Sequence, residues 1–187
     1  MNKPAFPQRQ AVLESKRLIL RLFSMDDAQR IQLLAGEEEV ATMTSTIPYP
    51  YQDGMAEKWI TMQRAWIDNK TAMTLAITLR ETGKLIGAIS VNSINNGEGE
   101  LGFWIGKAYW GRGYCTEAVS VFSTYCRSQL HLRRVYARHL TRNPASGRVM
   151  QKCGFSYCDL TTNLLHRNGV SESIEHYERV FEEIVEK

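Results

Sequence analysis

A loop with two glycines joins an apolar strand to a helix near the middle of the chain. It reads Trp110-Gly111-Arg112-Gly113-Tyr114-Cys115 and is followed by Thr116. The glycines let the backbone turn tightly and approach a ligand, and the first turn of the helix presents unpaired N–H groups. With the positive end of the helix dipole these groups predict a phosphate site, to which Arg112 adds a charge. The alternative is a strand, turn and helix whose glycines serve backbone geometry alone.

Glu100 is a second candidate for a chemical role. Its carboxylate lies at the start of the strand that leads into this loop. Glu98 lies two residues nearer the preceding turn, where we expect it to be more exposed. A carboxylate in such a place can act as a general base, especially if partial burial raises its pKa. Two interpretations stay open: Glu100 is a general base, or it only begins the strand or pairs with an arginine.

Motifs of several other chemistries are absent from the sequence. There is no G-x-x-x-x-G-K-S/T, and Thr116 stands where a dinucleotide fingerprint needs its third glycine. The four cysteines form no C-x-x-C pair and no zinc set with the four histidines. We expect no metal, and we expect buried thiols in a reducing compartment. No nucleophilic triad is present, so Cys115 is predicted to pack rather than to react.

Charge and hydropathy restrict the partners. The net charge of +3 does not indicate nucleic acid, but no acidic residue occurs between Glu117 and Asp159. The basic residues in that window are Arg127, Arg133, Arg134, Arg138, Arg142, Arg148 and Lys152. This basic field suits a small polyanionic ligand or is a solvated face. No signal peptide or membrane span is recognisable, so a cytoplasmic monomer or homodimer without membrane contact is expected.

The elements that position these residues begin with a strand over 17–22 and a helix over 26–35 capped by Ser24. Prolines keep 42–52 out of helix, and its exposed tyrosines suit a contact surface or a plain loop. A second helix is predicted after a cap at Asp53. Its expected buried face consists of Met55, Trp59, Met62, Ala65 and Trp66. We interpret the two tryptophans as core residues rather than as a binding box.

The second half of the chain predicts the rest of a sheet. Strands over 72–80 and 84–93 form a hairpin, and Asn95-Asn96-Gly97 turns the chain into the strand of Glu100. The long helix carries an apolar stripe of Cys115, Ala118, Val119, Phe122, Cys126 and Leu130. A strand over 135–140, parallel to that of Glu100, precedes a helix from Pro144 to Gly154. Strands over 155–165 and 173–181 follow, joined by Asn168-Gly169, with a short helical tail.

The fold class is therefore α+β, with helices layered on a mixed, mostly antiparallel sheet of about seven strands. One domain spans 1–187, with 1–14 as a loose lead. The order of elements, with YWGRGYCTEA opening the long helix and NPASGRVMQKCGF after the fifth strand, resembles the GNAT N-acetyltransferase superfamily. The closest branch looks like the ribosomal-protein N-terminal acetyltransferases for alanine or serine. The resemblance covers 17–181.

The resemblance implies a site for acetyl-CoA. In the family's loop, Q/R-x-x-G-x-G/A, Trp110 takes the first place, Gly113 matches and Cys115 replaces the last small residue. By resemblance, backbone N–H groups of Gly111 to Thr116 bind the pyrophosphate, and the backbone of Phe103 and Ile105 pairs with the pantetheine arm. A splay between the fourth and fifth predicted strands would admit that arm. Asn143 matches a residue beside it.

The resemblance also implies direct transfer of the acetyl group to a primary amine. Many relatives have a tyrosine as general acid seven residues after the Asn, where this chain has Met150, which cannot donate a proton. Ser146 is the nearest matching hydroxyl, as proton donor or as a simple helix-start residue. The expected acceptor is the N-terminal α-amine of a protein such as a ribosomal protein. The alternatives are a polyamine or antibiotic acetyltransferase, or a non-catalytic acyl-CoA-binding regulator.

Overall fold

The computed structural model describes residues 12–165 and 171–181, in which eight strands form one mixed sheet. The strands are β1 (Val12–Glu14), β2 (Leu18–Arg21), β3 (Met73–Leu79), β4 (Leu85–Asn95), β5 (Glu98–Ile105), β6 (Arg134–Leu140), β7 (Ser156–Leu165) and β8 (Ser171–Val180). The helices are α1 (Ala28–Ala35), α2 (Glu38–Thr42), α3 (Met55–Asp68), α4 (Tyr114–Ser128) and α5 (Pro144–Lys152). The strand order is β1-β2-β3-β4-β5-β6-β8-β7, and among these neighbours β5 and β6 alone run parallel.

Helices cover both faces of the sheet. Helices α4 and α5 pack on a core that includes Leu101 and Ile105 of β5, while Trp104 packs against the cluster formed with α1 and α3. This follows from the alternation of side chains along a strand. The predicted stripe of α4 is confirmed, since Ala118, Val119, Phe122 and Cys126 are fully buried. The helix is therefore held firmly against the sheet.

Strands β5 and β6 separate halfway along their length. Their pairing runs from Glu98 with Arg134 to Leu101 with Ala137 and then stops. Beyond that point β5 continues to Ile105 and β6 to Leu140. The two strands thus form a splay, as the family resemblance implied, and its apex lies next to Glu100.

The structure corrects several details of the predicted elements. Residues 12–14, assigned to a loose lead, pair with β2, so the sheet has eight strands rather than seven. Helix α2 was not predicted. Gly54, not Asp53, is the N-cap of α3; the Asp53 side chain instead accepts a hydrogen bond from Gln32. The predicted Asn168-Gly169 turn and the helical tail lie outside the described residues.

The predicted buried face of α3 is wrong by a rotation about the helix axis. The buried residues are Ala56, Ile60, Gln63 and Ile67, whereas Met62 is 46% exposed. Two i, i+3, i+4 patterns compete on this helix, and the pattern that contains both tryptophans is not the one that packs on the core. As a result Trp59 and Trp66 are only partly buried.

In the described residues, no helix is long and apolar enough to cross a membrane. The same residues contain no group of three or more His, Cys, Asp or Glu side chains that could hold a metal ion.

Candidate active site

The glycine loop has the geometry that the sequence predicted. Gly113 is the N-cap of α4 with φ 78°, and Gly111 has φ 72°. Both angles lie in the left-handed region, where a β-branched side chain is strongly disfavoured. Among the residues that the structure describes, no side chain caps α4, so its first N–H groups remain available to a ligand. The start of α4 thus matches an anion site.

Trp110 links this loop to β5. Its indole N–H donates to the carbonyl of Ile105 at 2.6 Å. On the other edge of β5, the N–H of Gly106 donates to Ile86 at 2.9 Å. The alternation of an antiparallel pair then directs the backbone N–H and C=O of Phe103 towards the splay rather than towards β4. The Ile105 carbonyl already accepts a hydrogen bond from Trp110. Phe103 therefore has more backbone groups available than Ile105 to pair with an extended ligand.

A cavity of about 490 Å³ opens between this loop and α5, and we call it the cofactor cavity. Of the predicted residues it is lined by Phe103, Ile105, Trp110, Gly111, Gly113, Tyr114, Cys115, Thr116, Asn143 and Ser146. Arg112 is exposed and does not line it. The positive charges come instead from Arg142, Arg148 and Lys152, and no carboxylate is among the described lining residues. Such a cavity favours a polyanion.

Cys115 has the packing role that the sequence predicted. Burial raises the pKa of its thiol to about 12, with a further contribution from Cys153. A thiol with that pKa is almost fully protonated near neutral pH, and the thiol form is a poor nucleophile. Cys115 therefore forms part of the cavity wall.

Ser146 occupies the first turn of α5, which Asn143 caps. The Asn143 side-chain oxygen accepts from the N–H of Ser146 at 3.3 Å, and its amide donates to the Met43 carbonyl at 3.0 Å. Gly147 lets this turn approach β6, since an added Cβ would lie 2.7 Å from His139 Nε2. Ser146 is partly buried and lines both this cavity and the one described next, whereas Met150 is fully buried.

A second cavity of about 480 Å³ lies on the other face of the sheet, and we call it the acceptor cavity. Apolar and aromatic side chains of α1, α3 and the segment after α2 form its walls. Its floor is a polar stripe of Thr74, Ser90, Asn92, Glu100 and Arg138. The residues that line both cavities are Met43, Thr44, Phe103, Trp104 and Ser146. The two cavities therefore meet at the splay, where Ser146 is found.

Glu100 is the carboxylate of the acceptor cavity, and it is paired. Its Oε1 lies 2.8 Å from Nε of Arg138 on β6. The Glu100 side chain is 22% exposed, compared with 44% for Glu98, as the sequence predicted for these two residues. Because Arg138 lies beyond the last paired residue of β6, the ion pair bridges the two strands at the apex of the splay. Pairing with an arginine was one of the interpretations left open.

Sequence reasoning missed three residues of this cavity. Trp59 and Trp66, interpreted as core, line its wall. His139, considered only as a zinc ligand, also lines it; its Nδ1 donates to the Leu140 carbonyl at 2.8 Å and its Nε2 lies 3.3 Å from Glu175. The partial exposure of the two tryptophans, beside the buried face of α3, could not be seen in the sequence. The splay that brings His139 to the cavity could not be seen from the residues alone either.

Comparison with known proteins agrees with this geometry. A family model described as an acetyltransferase (GNAT) domain matches residues 17–156. The N-acetyltransferase YoaA of Bacillus subtilis is 29% identical over 160 residues, which cover 84% of this chain and 90% of YoaA. The ribosomal alpha-N-protein acetyltransferase RimL, solved with coenzyme A, superposes with a TM-score of 0.83 at 17% identity, covering 91% and 98% of the chains. Spermidine N-acetyltransferase of Vibrio cholerae, with coenzyme A and spermine, gives 0.77 at 17%, covering 89% and 96%.

Proposed function

The chain belongs to the GNAT acetyltransferase family and is an acetyl-CoA-dependent N-acetyltransferase, and from that premise we propose that its acceptor is the N-terminal α-amine of a protein. A ribosomal protein with a small first residue is the acceptor we expect. Relatives of the same fold include a protein-N-terminal and a spermidine acetyltransferase, so the fold alone does not choose between these substrates. The acceptor cavity supplies the argument.

The charge of the acceptor cavity carries the proposal. Among its described lining residues Glu100 is the one carboxylate, and Arg138 neutralises it at 2.8 Å. A polyamine brings several positive charges, each of which needs a partner when it leaves water. A protein N-terminus brings a single amine followed by uncharged peptide groups, which suits a cavity with one balanced ion pair and a polar floor.

The spacing of two tryptophans in the wall of the acceptor cavity also suits a peptide. Trp59 and Trp66 are seven residues apart on α3, which corresponds to about 10 Å along a helix axis. An extended chain rises about 3.3 Å per residue, so this wall can follow about three residues of a bound peptide. The cavity volume of about 480 Å³ lies within the range usual for ligand sites.

The proposed chemistry is direct transfer at the splay. The acetyl thioester lies between the cavities, beside Phe103 and Ser146, and the neutral amine attacks its carbonyl carbon from the acceptor side. Glu100, directly or through water, takes the amine proton as the C–N bond forms. Backbone N–H groups of β5 that face the splay stabilise the developing oxyanion. The C–S bond then breaks as the Ser146 hydroxyl passes its proton to the leaving thiolate and takes one from solvent water in exchange, while the proton on Glu100 is released to solvent.

The α-amine fits a site without a strong base. The pKa of an α-amine in an unstructured peptide is about 8, compared with about 10.4 for a lysine side chain, so near neutral pH a larger share of it is uncharged. A carboxylate held by Arg138 needs to accept a proton only as the amine becomes positively charged during attack. The same carboxylate would be poorly suited to deprotonating a lysine.

The test compares three acceptors with acetyl-CoA. One peptide has a free N-terminus and an internal lysine, a matched peptide has its N-terminus blocked, and the third acceptor is spermidine. We expect thiol release and a mass increase at the N-terminus of the free peptide only. Acetylation of the lysine alone would reject the α-amine, and a higher kcat/KM for spermidine would favour the small-molecule alternative.

A further inference from the structure

Arg17, just before β2, reaches the back of the glycine loop. Its Nη1 donates to the Arg112 carbonyl at 2.9 Å, and its guanidinium carbon lies 4.5 Å from the centre of the Tyr114 ring. A Cβ added at Gly113 would lie 3.5 Å from Arg17 Nη2. Arg17 does not line the cofactor cavity. It therefore contacts the loop from outside, at the residue between the two left-handed glycines.

Glu117, in the first turn of α4, holds Arg17 in this position. Its carboxylate accepts from the Arg17 backbone N–H, from Arg17 Nε and from the Ser15 hydroxyl, each at 2.7 Å. Burial alone would raise the pKa of Glu117, but these hydrogen bonds outweigh it and lower the pKa below its usual value. The carboxylate is therefore ionised near neutral pH, and its side chain is only 17% exposed.

These contacts join residues 15–17 to residues 112–117, which are 95 to 102 positions away in sequence. Glycines with positive φ leave the loop many alternative conformations, and fixing one conformation before binding reduces the entropy lost when the ligand binds. We propose that Arg17, fixed by Glu117, is a positioning residue that holds the Arg112 to Tyr114 backbone in the conformation that accepts the diphosphate of acetyl-CoA. The proposal concerns the donor alone and does not depend on which amine is the acceptor.

Arg80 provides a matched control at the same end of the paired strands β2 and β3, where its backbone N–H, which a side-chain substitution leaves in place, donates to the Arg17 carbonyl at 2.9 Å. It is 41% exposed, compared with 42% for Arg17, and it pairs with Glu14 at 2.7 Å. Its Nε also donates to the Ser15 carbonyl at 3.0 Å. Arg80 thus has nearly the same exposure as Arg17 and likewise pairs with a glutamate and donates to a backbone carbonyl, but in the described residues its side chain has no aromatic contact and touches neither the glycine loop nor α4. Its removal should affect stability without affecting donor binding.

The experiment measures the Kd of acetyl-CoA by calorimetry, with kcat, KM and the melting temperature, for Arg17→Ala, Glu117→Gln, Arg80→Ala and the double variant of Arg17 and Glu117. We expect Kd and KM for acetyl-CoA to rise roughly three- to tenfold in Arg17→Ala, with kcat at saturating donor unchanged. The double variant should bind no more weakly than Arg17→Ala alone, because both substitutions break one network. Arg80→Ala should bind as the wild type does.

Two results would overturn the proposal: a wild-type Kd for a folded Arg17→Ala, or an equal loss of affinity in Arg80→Ala. If Arg17→Ala does not fold, Arg17→Lys decides the question. Lysine keeps the charge but lacks the planar fork that reaches Glu117 and Arg112 together. We expect it to melt near the wild-type temperature and to bind acetyl-CoA more weakly, and wild-type affinity in this variant would also overturn the proposal.

Discussion

The two cavities that meet at the splay are built in different ways. Within the described residues, the cofactor cavity takes most of its wall from two short stretches of chain, 103–116 and 142–152. The first contains the end of β5, the glycine loop and the start of α4, and the second contains α5. The acceptor cavity draws on α1, the segment after α2, α3 and five strands. The first uses backbone groups and a basic wall, and the second uses side chains with one balanced ion pair.

This difference explains how one family can keep its donor and change its acceptor. Backbone N–H groups at a helix start bind phosphate almost regardless of the neighbouring side chains. A side-chain cavity changes its specificity with each substitution on any of its elements. Substitutions in each cavity test whether the functions of the two cavities are as separate as their construction suggests.

The largest effect is expected at the donor side, from Gly113→Val. Valine at a φ of 78° would be strained and would block backbone approach to the diphosphate, so we expect acetyl-CoA affinity to fall about a thousandfold. Gly54 is the matched control, since it caps α3 with a φ of 79° but lines neither cavity. Gly54→Val should lose similar stability and keep its affinity in calorimetry. Equal affinities for acetyl-CoA in the two variants would show that the loop is not part of the binding site.

On the acceptor side, Glu100→Gln should lower kcat about a hundredfold, because a general base acts in the transition state. The Kd of acetyl-CoA should not change. Glu98→Gln is the control, because Glu98 lies on the same strand and pairs with Arg134 at 3.2 Å outside both cavities. Steady-state rates across pH decide the matter: full activity of Glu100→Gln at every pH would reject Glu100 as the base.

Ser146 lines both cavities, so its substitution tests the boundary between them. We expect Ser146→Ala to lower kcat about tenfold and to leave the Kd of acetyl-CoA nearly unchanged, since a proton donor to the thiolate acts late in the reaction. Single-turnover rates and calorimetry on the same preparation separate the two effects. A wild-type rate would leave Ser146 as a helix-start residue.

The smallest effect is expected from Trp66→Ala, which removes part of the aromatic wall of the acceptor cavity. KM for a peptide acceptor should rise about threefold while the Kd of acetyl-CoA stays the same. Met62→Ala on the same helix is the control, because Met62 is exposed and outside both cavities. A change in donor affinity in Trp66→Ala would show that the two cavities are coupled.

Much of the donor half could be predicted from the sequence because its signals are local. The glycines at 111 and 113, the apolar stripe of α4 and the Asn-Pro start of α5 each specify a backbone conformation over a few residues. That Glu100 lies on the opposite face of β5 from Leu101 and Ile105 also follows from strand alternation. Its pairing with Arg138 was one of two open alternatives, because the ion pair joins strands that are 38 residues apart in sequence.

The sequence by itself determined most of the order of elements, the left-handed glycines of the loop and the helix start that follows them, because periodicity and glycine positions act over one or two turns of chain. Only the tertiary structure decided which face of α3 is buried, which basic residues line the cofactor cavity, and that Arg17 holds the loop. These three features depend on how segments distant in sequence pack together. Two faces of a helix with similar apolarity differ in their free energy of burial only when another part of the chain packs against one of them. Tertiary contacts therefore made Trp59 and Trp66 walls of a cavity rather than parts of the core.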